Sequence, residues 1–268
     1  MVTYKKKPYL ILALLLCFPV CAKSQFIFGT TGLLHLPTAD MQRDKTVMLG
    51  GGYLSKYATP DKWDYDTWNY YLNVTFFPWL EVSYTMNMFS GKYMSEWTGL
   101  DISKFKKWTN QDRNFSFRIR AWKEGWWKSW TPQIVLGTND LLHTFNQGGS
   151  GNVGLKNFET NGFWARMYIA ATKHFLLNKV GTFGIHAAYL YNDRKDFKYE
   201  GIGVGGNLLL NALSCKWLQS VNLMVEYDTR TVNVGMGYSL WKERINLACE
   251  LNELKYFSGG IYFKIYLK

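Results

Sequence analysis

The chain has 268 residues, 18% of them aromatic, and a formal net charge of +11. Without a zinc-finger, helix-turn-helix or RNA-binding strand signature, that charge does not point to nucleic acid and suits anionic lipid, polysaccharide or solute instead. Four cysteines and no run of about 18 apolar residues beyond the leader argue against a disulfide framework and a transmembrane helix.

Lys5, Lys6 and Lys7, the apolar run from Tyr9 to Val20 and the small or polar residues through Ser24 have the three regions of a secretory signal peptide. The expected organisation is a leader over residues 1–24, cleaved after Ser24, and one domain over residues 25–268. Cleavage after Ala22 satisfies the same small-residue rule. A lipoprotein reading asks for a small residue before Cys21, where Val20 stands. Loss of the leader removes four lysines, leaving 244 residues at +7, and removes Cys17 and Cys21. A single bridge between the remaining Cys215 and Cys249 stays open.

The stretch from Phe28 to Gln42, FGTTGLLHLPTADMQ, comes next. Gly29 and Gly32 permit backbone shapes or close approaches denied to other residues, and Leu33, Leu34 and Leu36 need burial. Pro37, Thr38, Ala39 and Asp40 read as a chain reversal, with Pro37 starting a turn or Thr38 capping a short helical one. Two readings follow: a first strand with its turn, or a segment folded into the inner mouth of a barrel.

From there the hydrophobic period is two. Alternating runs lie near 45–54, 68–76, 80–88, 115–121, 131–139, 163–169, 183–189, 200–210, 221–227, 232–240, 245–251 and 257–267, twelve in all. Many approach the 9–11 residues that a tilted strand needs to cross a hydrocarbon layer. Tryptophans crowd the run ends (Trp79, Trp122, Trp126, Trp127, Trp130, Trp217 and Trp241), where two interfacial girdles would place them. Short links alternate with long ones near 55–66, 89–112 and 139–161. The expected fold is therefore all-β: a transmembrane antiparallel β-barrel of about twelve strands, closed because unpaired strand edges are costly in hydrocarbon. Such a barrel belongs in the outer membrane of a Gram-negative bacterium. Ser258, Gly260, Phe263 and Ile265 in the last run look like an outer-membrane assembly signal, which implies the barrel-assembly machinery as a partner.

Alternation places Glu81, Arg118, Arg120, Arg166, His186, Glu226, Glu250 and Lys264 inside. They are either a salt-bridged filling for a narrow lumen or a charged lining that selects anionic sugar or solute. The link 89–112 carries Lys92, Trp97, Lys104, Lys106, Lys107 and Trp108, a mixture suited to sugar or lipopolysaccharide contact and equally to a plain solvated loop. No histidine stands at metal-ligand spacing, and no cofactor is expected. The glycines at 148–151 and 201–206 lack a P-loop lysine and read as loop and strand bend. A lipid hydrolase would need a nucleophile, a histidine and an orienting group. His143, Thr144 and Asn146 are the nearest collection and match no motif, so no enzyme is expected.

The pattern Gly29-x-x-Gly32-Leu33-Leu34-x-x-Pro37-Thr38-Ala39-Asp40-Met41, followed by a charged turn and an alternating strand, resembles the N-terminal signature of the YjbH family, the exopolysaccharide-associated YjbH-like or GfcD-like outer-membrane proteins. The resemblance implies a barrel that assists export or assembly of an extracellular or capsular polysaccharide, as conduit or scaffold, beside other export-system proteins. Family members are often longer, with more than one barrel-like part. A general solute channel or structural barrel is the alternative.

Overall fold

The computed structural model describes residues 25, 27–61, 63–90, 108–143, 152–153, 164–178, 180–192, 197–211, 215 and 217–267. Its strands are β1 (Thr46–Leu54), β2 (Thr67–Phe77), β3 (Leu80–Ser90), β4 (Trp108–Trp122), β5 (Gln133–Asn139), β6 (Leu142–His143), β7 (Asn152–Val153), β8 (Arg166–Leu177), β9 (Gly181–Tyr191), β10 (Gly201–Leu210), β11 (Leu218–Tyr227), β12 (Val232–Leu240), β13 (Ile245–Asn252) and β14 (Tyr256–Tyr266). Twelve of them form a closed antiparallel barrel, in which β5 pairs with β8 and β14 returns to β1. The short β6 and β7 pair separately. Closure runs in register from Thr46 opposite Tyr266 to Tyr53 opposite Gly259, so no strand edge is left open.

The period of two has its expected cause. In β2, Thr67, Asn69, Tyr71, Asn73 and Thr75 are buried in the lumen. Trp68, Tyr70, Leu72 and Phe76 of the same strand are exposed on the outside. In β9, His186, Ala188 and Leu190 point in, while Ile185, Tyr189 and Tyr191 point out. The barrel is thus inverted relative to a globular domain, polar within and apolar without, which is the arrangement hydrocarbon selects.

Two ends differ. The links β2–β3, β4–β5, β8–β9, β10–β11 and β12–β13 lie at the end where the chain enters β1, here the turn end. Links at the opposite, loop end include 55–66 and the spans from β3 to β4 and from β5 to β8. The seven tryptophans expected in two girdles are all exposed, and all sit at the turn end. Outward aromatics towards the loop end are mostly tyrosines, Tyr189, Tyr191 and Tyr227, with Trp68 and Phe257.

Two local expectations need correction. Trp108 is not in the link 89–112 but opens β4, opposite Ser90. The segment Trp108–Arg113 has no apolar alternation, so the period signal stopped short of the pairing, which continues to Trp108. His143 lies in β6 rather than in a loop. The glycines from Gly201 to Gly206 sit inside β10, the strand expected near 200–210. Cys215 and Cys249 are both free thiols. Lys92, Trp97, Lys104, Lys106, Lys107, Thr144, Asn146 and the leader fall outside the described residues.

The plugged lumen as candidate functional site

Of the two readings of FGTTGLLHLPTADMQ, the structure takes the second. Residues 27–41 are not part of the barrel wall. They fold inside it, with Ile27, Phe28, Leu33, Leu34, Leu36 and Ala39 all buried. Two tight reversals shape the plug, bridging Gln25 to Thr30 and Gly32 to Pro37. Gly29 adopts φ +63°, a left-handed conformation, and a Cβ there would lie 2.6 Å from Ser83 Oγ and Thr85 Oγ1. Thr38 Oγ1 accepts the Asp40 N–H (3.2 Å), so the Thr38 reversal is a hydroxyl-closed turn and not a helix cap.

A loop without regular structure cannot satisfy its own backbone, and inside a barrel water is scarce. Wall side chains take over. Asn69, Asn73 and Thr85 donate to the carbonyls of Ile27, Gly29 and Phe28. Thr172 Oγ1 accepts from Ala39 N at 2.8 Å, and Gln133 donates to the Ala39 carbonyl. Glu81 Oε1 accepts from Thr31 N at 2.7 Å. Most concentrated is Glu226, whose two oxygens accept from the N–H groups of Leu34, His35 and Leu36 at 3.0, 2.7 and 3.1 Å.

Two fully buried guanidinium groups grip the plug from the other side. Arg118 Nη1 donates to Glu81 Oε2 (2.7 Å), and its Nη2 donates to the carbonyls of Thr38 and Asp40. Glu81 and Arg118 stand directly opposite each other in the β3–β4 ladder, so the pair is set by register. Arg166 Nη1 donates to the His35 carbonyl (2.9 Å), Nε to Asn139 Oδ1 (2.8 Å), and its guanidinium lies 3.7 Å from the Phe28 ring centroid. A stack of this kind is favourable when desolvated.

The plug's leucines are seated in glycine sockets. A Cβ at Gly203 would lie 2.5 Å from Leu36 Cδ1, one at Gly205 would lie 2.6 Å from Leu33 Cδ1, and one at Gly235 would overlap Leu34. Loops close the far mouth as well. Trp63, Trp164, Phe197 and Tyr199 are buried against Phe28 and one another with edge-on ring contacts, and Arg230 lies 4.2 Å from the Phe197 ring centroid.

His35 is the plug residue that sequence spacing did not connect to anything. Its Nδ1 lies 3.1 Å from Asp228 Oδ2 and its Nε2 3.0 Å from Glu250 Oε1. A carboxylate facing each ring nitrogen favours the doubly protonated ring. Burial alone would lower the ring pKa, but Glu250 and Asp228 prevail and hold it well above the ordinary histidine value. Burial likewise works against the Asp228 charge, but the His35 ring and the Thr231 and Arg230 N–H groups hold this carboxyl below its ordinary range. Three ligand-type atoms of His35, Glu226 and Asp228 come within 4.8 Å of one another. Every oxygen involved already accepts N–H donors, Asp228 Oδ1 from Arg230 N and Thr231 N, so the cluster works as a latch.

The latch has a predictable pH profile. His35 has a raised folded pKa, so its contribution is complete below its unfolded value of about 6.5 and is lost as pH climbs through the folded pKa. Asp228 has a lowered one, so its contribution is present above about 3.9 and is lost as pH falls through the folded value. Thermal stability of the barrel in detergent should therefore decline on both sides of a plateau. In H35Q the alkaline decline should be largely gone, and an alkaline limb identical to wild type would show that this histidine is not the latch.

The remaining inward charges divide. His186 bonds Thr172 and Asn207 (2.9 and 2.8 Å), tying wall strands together rather than holding the plug. Lys264 is buried 5.9 Å from the Tyr262 ring centroid. Arg120 shares the inward face of Arg118 but is only half-buried near the end of β4, and no described hydrogen bond joins its side chain to the plug. Sequence reasoning missed Asp228, Asn69, Asn73, Gln133 and the glycine sockets. A visible signal was there in the asparagines and glycines recurring at inward positions.

Comparison with known proteins gives two matches. Residues 24–151 match the family model YjbH, described as "Exopolysaccharide biosynthesis protein YbjH". That span contains the whole plug and β1 to β6. An Escherichia coli (strain K12) protein named "Uncharacterized lipoprotein YjbH" is 30% identical over 118 residues, covering 44% of this chain and 14% of the relative. The chain thus spans a small part of that protein's length.

Proposed function

We propose that this chain, YjbH-like over residues 24–151, is an outer-membrane barrel that assists export or assembly of an extracellular polysaccharide without catalysing a reaction. The family supports the polysaccharide association, and the apolar outer wall supports the membrane setting. The observation that carries the finer reading is the filled lumen: a plug bonded to several wall strands and capped by aromatic loops favours a scaffold over a standing conduit, and counts against a general solute channel. Outer-membrane lipid, lipopolysaccharide, export-system proteins and the assembly machinery are its proposed partners.

Deleting the gene should lower cell-surface polysaccharide severalfold, with restoration by the wild-type chain. Normal polysaccharide in the deletion strain would remove the reading. The lipoprotein name of the relative proposes lipidated Cys21 as an alternative to Gln25 at the mature N-terminus. Intact mass of the membrane-extracted chain separates the two.

A further inference from the structure

The turn joining β4 to β5 is the longest described connection at the turn end and has an uneven furnishing. It runs from Lys123 past Trp130 and closes on itself. Gly125, at φ +74°, donates its N–H to the Thr131 carbonyl (3.1 Å), and Thr131 N donates to the Lys128 carbonyl (2.9 Å). Its acid, Glu124, is turned against the end of β8, where it accepts from Lys173 Nζ (2.6 Å) and His174 N (3.0 Å) and lies 2.8 Å from His174 Nδ1. Outward remain Trp126, Trp127 and Trp130, at 64%, 66% and 62% exposure. Lys128 Nζ lies 4.7 Å from the Trp127 ring centroid. Lys123 and Lys128 form no ion pair among the described residues.

Beside this finger lies a cleft of about 480 Å³, lined by Ser129, Trp130, Lys173, His174, Phe175 and Leu176. Leu176, at its edge, is 84% exposed. In water such a leucine beside the exposed Trp130 indole would be a liability. In the headgroup layer of a bilayer each feature has a partner: indoles lie at the interface, aliphatic tips reach the acyl chains, and unneutralised lysines meet phosphate.

We propose that the β4–β5 finger and its cleft bind the headgroup of an anionic phospholipid from the leaflet at the turn end. The phosphate lies against Lys123 and Lys128, and the chain runs along Trp130, Phe175 and Leu176. The site rests on the reading that the barrel spans a membrane. It is also joined to the plug, because His174 Nε2 lies 3.1 Å from Asp40 Oδ1, where the plug leaves the lumen.

The full mature chain, reconstituted in phosphatidylcholine vesicles, tests this. Brominated phosphatidylglycerol or brominated phosphatidylcholine is added at equal mole fraction, and quenching of tryptophan fluorescence reports the lipid next to the indoles. Phosphatidylglycerol should be enriched about fivefold over phosphatidylcholine at low salt, with the preference collapsing at high salt. K123Q/K128Q should bring the ratio close to one while quenching by phosphatidylcholine stays as in wild type. W126F/W127F/W130F should remove the preference for phosphatidylglycerol, while Trp79, Trp122, Trp217 and Trp241, exposed at the same end, continue to be quenched by both lipids. Equal quenching by the two lipids, or a preference untouched by the double lysine change in a heat-modifiable barrel, would overturn the site. So would displacement of the signal by a soluble anionic polysaccharide, which would assign the finger to sugar. Failure of the chain to insert at all would instead strike the membrane reading beneath it.

Discussion

Deleting residues 26–42 should convert a silent barrel into a conducting one. In planar bilayers the wild-type chain is expected to give no steady current, because its lumen holds a plug whose carbonyls and N–H groups are bonded to β2, β3, β4, β5, β8 and β11. The deletion variant loses Leu33, Leu34 and Leu36 from their glycine sockets and bares Arg118, Arg166, Glu226 and Glu250 to water. Steady, step-like currents should follow, salt-sensitive because the exposed wall is charged. A folded, heat-modifiable deletion variant with unchanged current would mean that the loop-end aromatics seal the barrel unaided, and the plug would then be a strut and not a stopper.

The second large effect concerns Glu81 and Arg118. Both side chains are fully buried, 2.7 Å apart, and each also holds plug backbone. Removing one partner leaves the other charge unpaired in a dry interior, at a cost of about 3–5 kcal/mol. E81A or R118A should therefore lower the urea midpoint of unfolding sharply. In E81A/R118A the loss should be clearly less than the sum of the singles, since the double change removes both charges together. Additive losses would show that each residue acts through its own plug contacts and that the pair itself contributes little. R118A and the double variant should also flicker between closed and open levels, because Arg118 no longer ties down Thr38 and Asp40.

The barrel was legible because its chemistry repeats. In β2, β9, β12 and β14 most apolar residues face outward and most polar or small ones inward, so each run shows the period, with inward exceptions such as Leu190. The start of β4 escaped because its sequence, Trp-Thr-Asn-Gln-Asp-Arg, has no alternation to read. Inward charges were identifiable one strand at a time, but which of them meet depends on register across long links. Glu81 opposite Arg118 is a fact of the β3–β4 ladder and not of spacing. The plug was the hardest to read. It has no period, and its partners are as distant as Leu34 and Glu226, 192 residues apart. Its glycines and leucines marked it as unusual, whereas the glycines that receive it, Gly203, Gly205 and Gly235, look like ordinary strand bends until the leucines are seen in place.

The position of the plug ahead of β1, with only residues 42–45 between, bears on how the molecule is built. Pushing a finished loop into a finished cylinder would require two arginines, four carboxylates and a histidine to shed their water together. If the plug instead settles on an open, curling sheet, those groups are dehydrated in stages, each as its partner arrives. The seam between β1 and β14 then shuts last, behind a mandrel already in place. Contacts this far apart in sequence make assembly slow, and the late, unzipped intermediate is the form most exposed to aggregation.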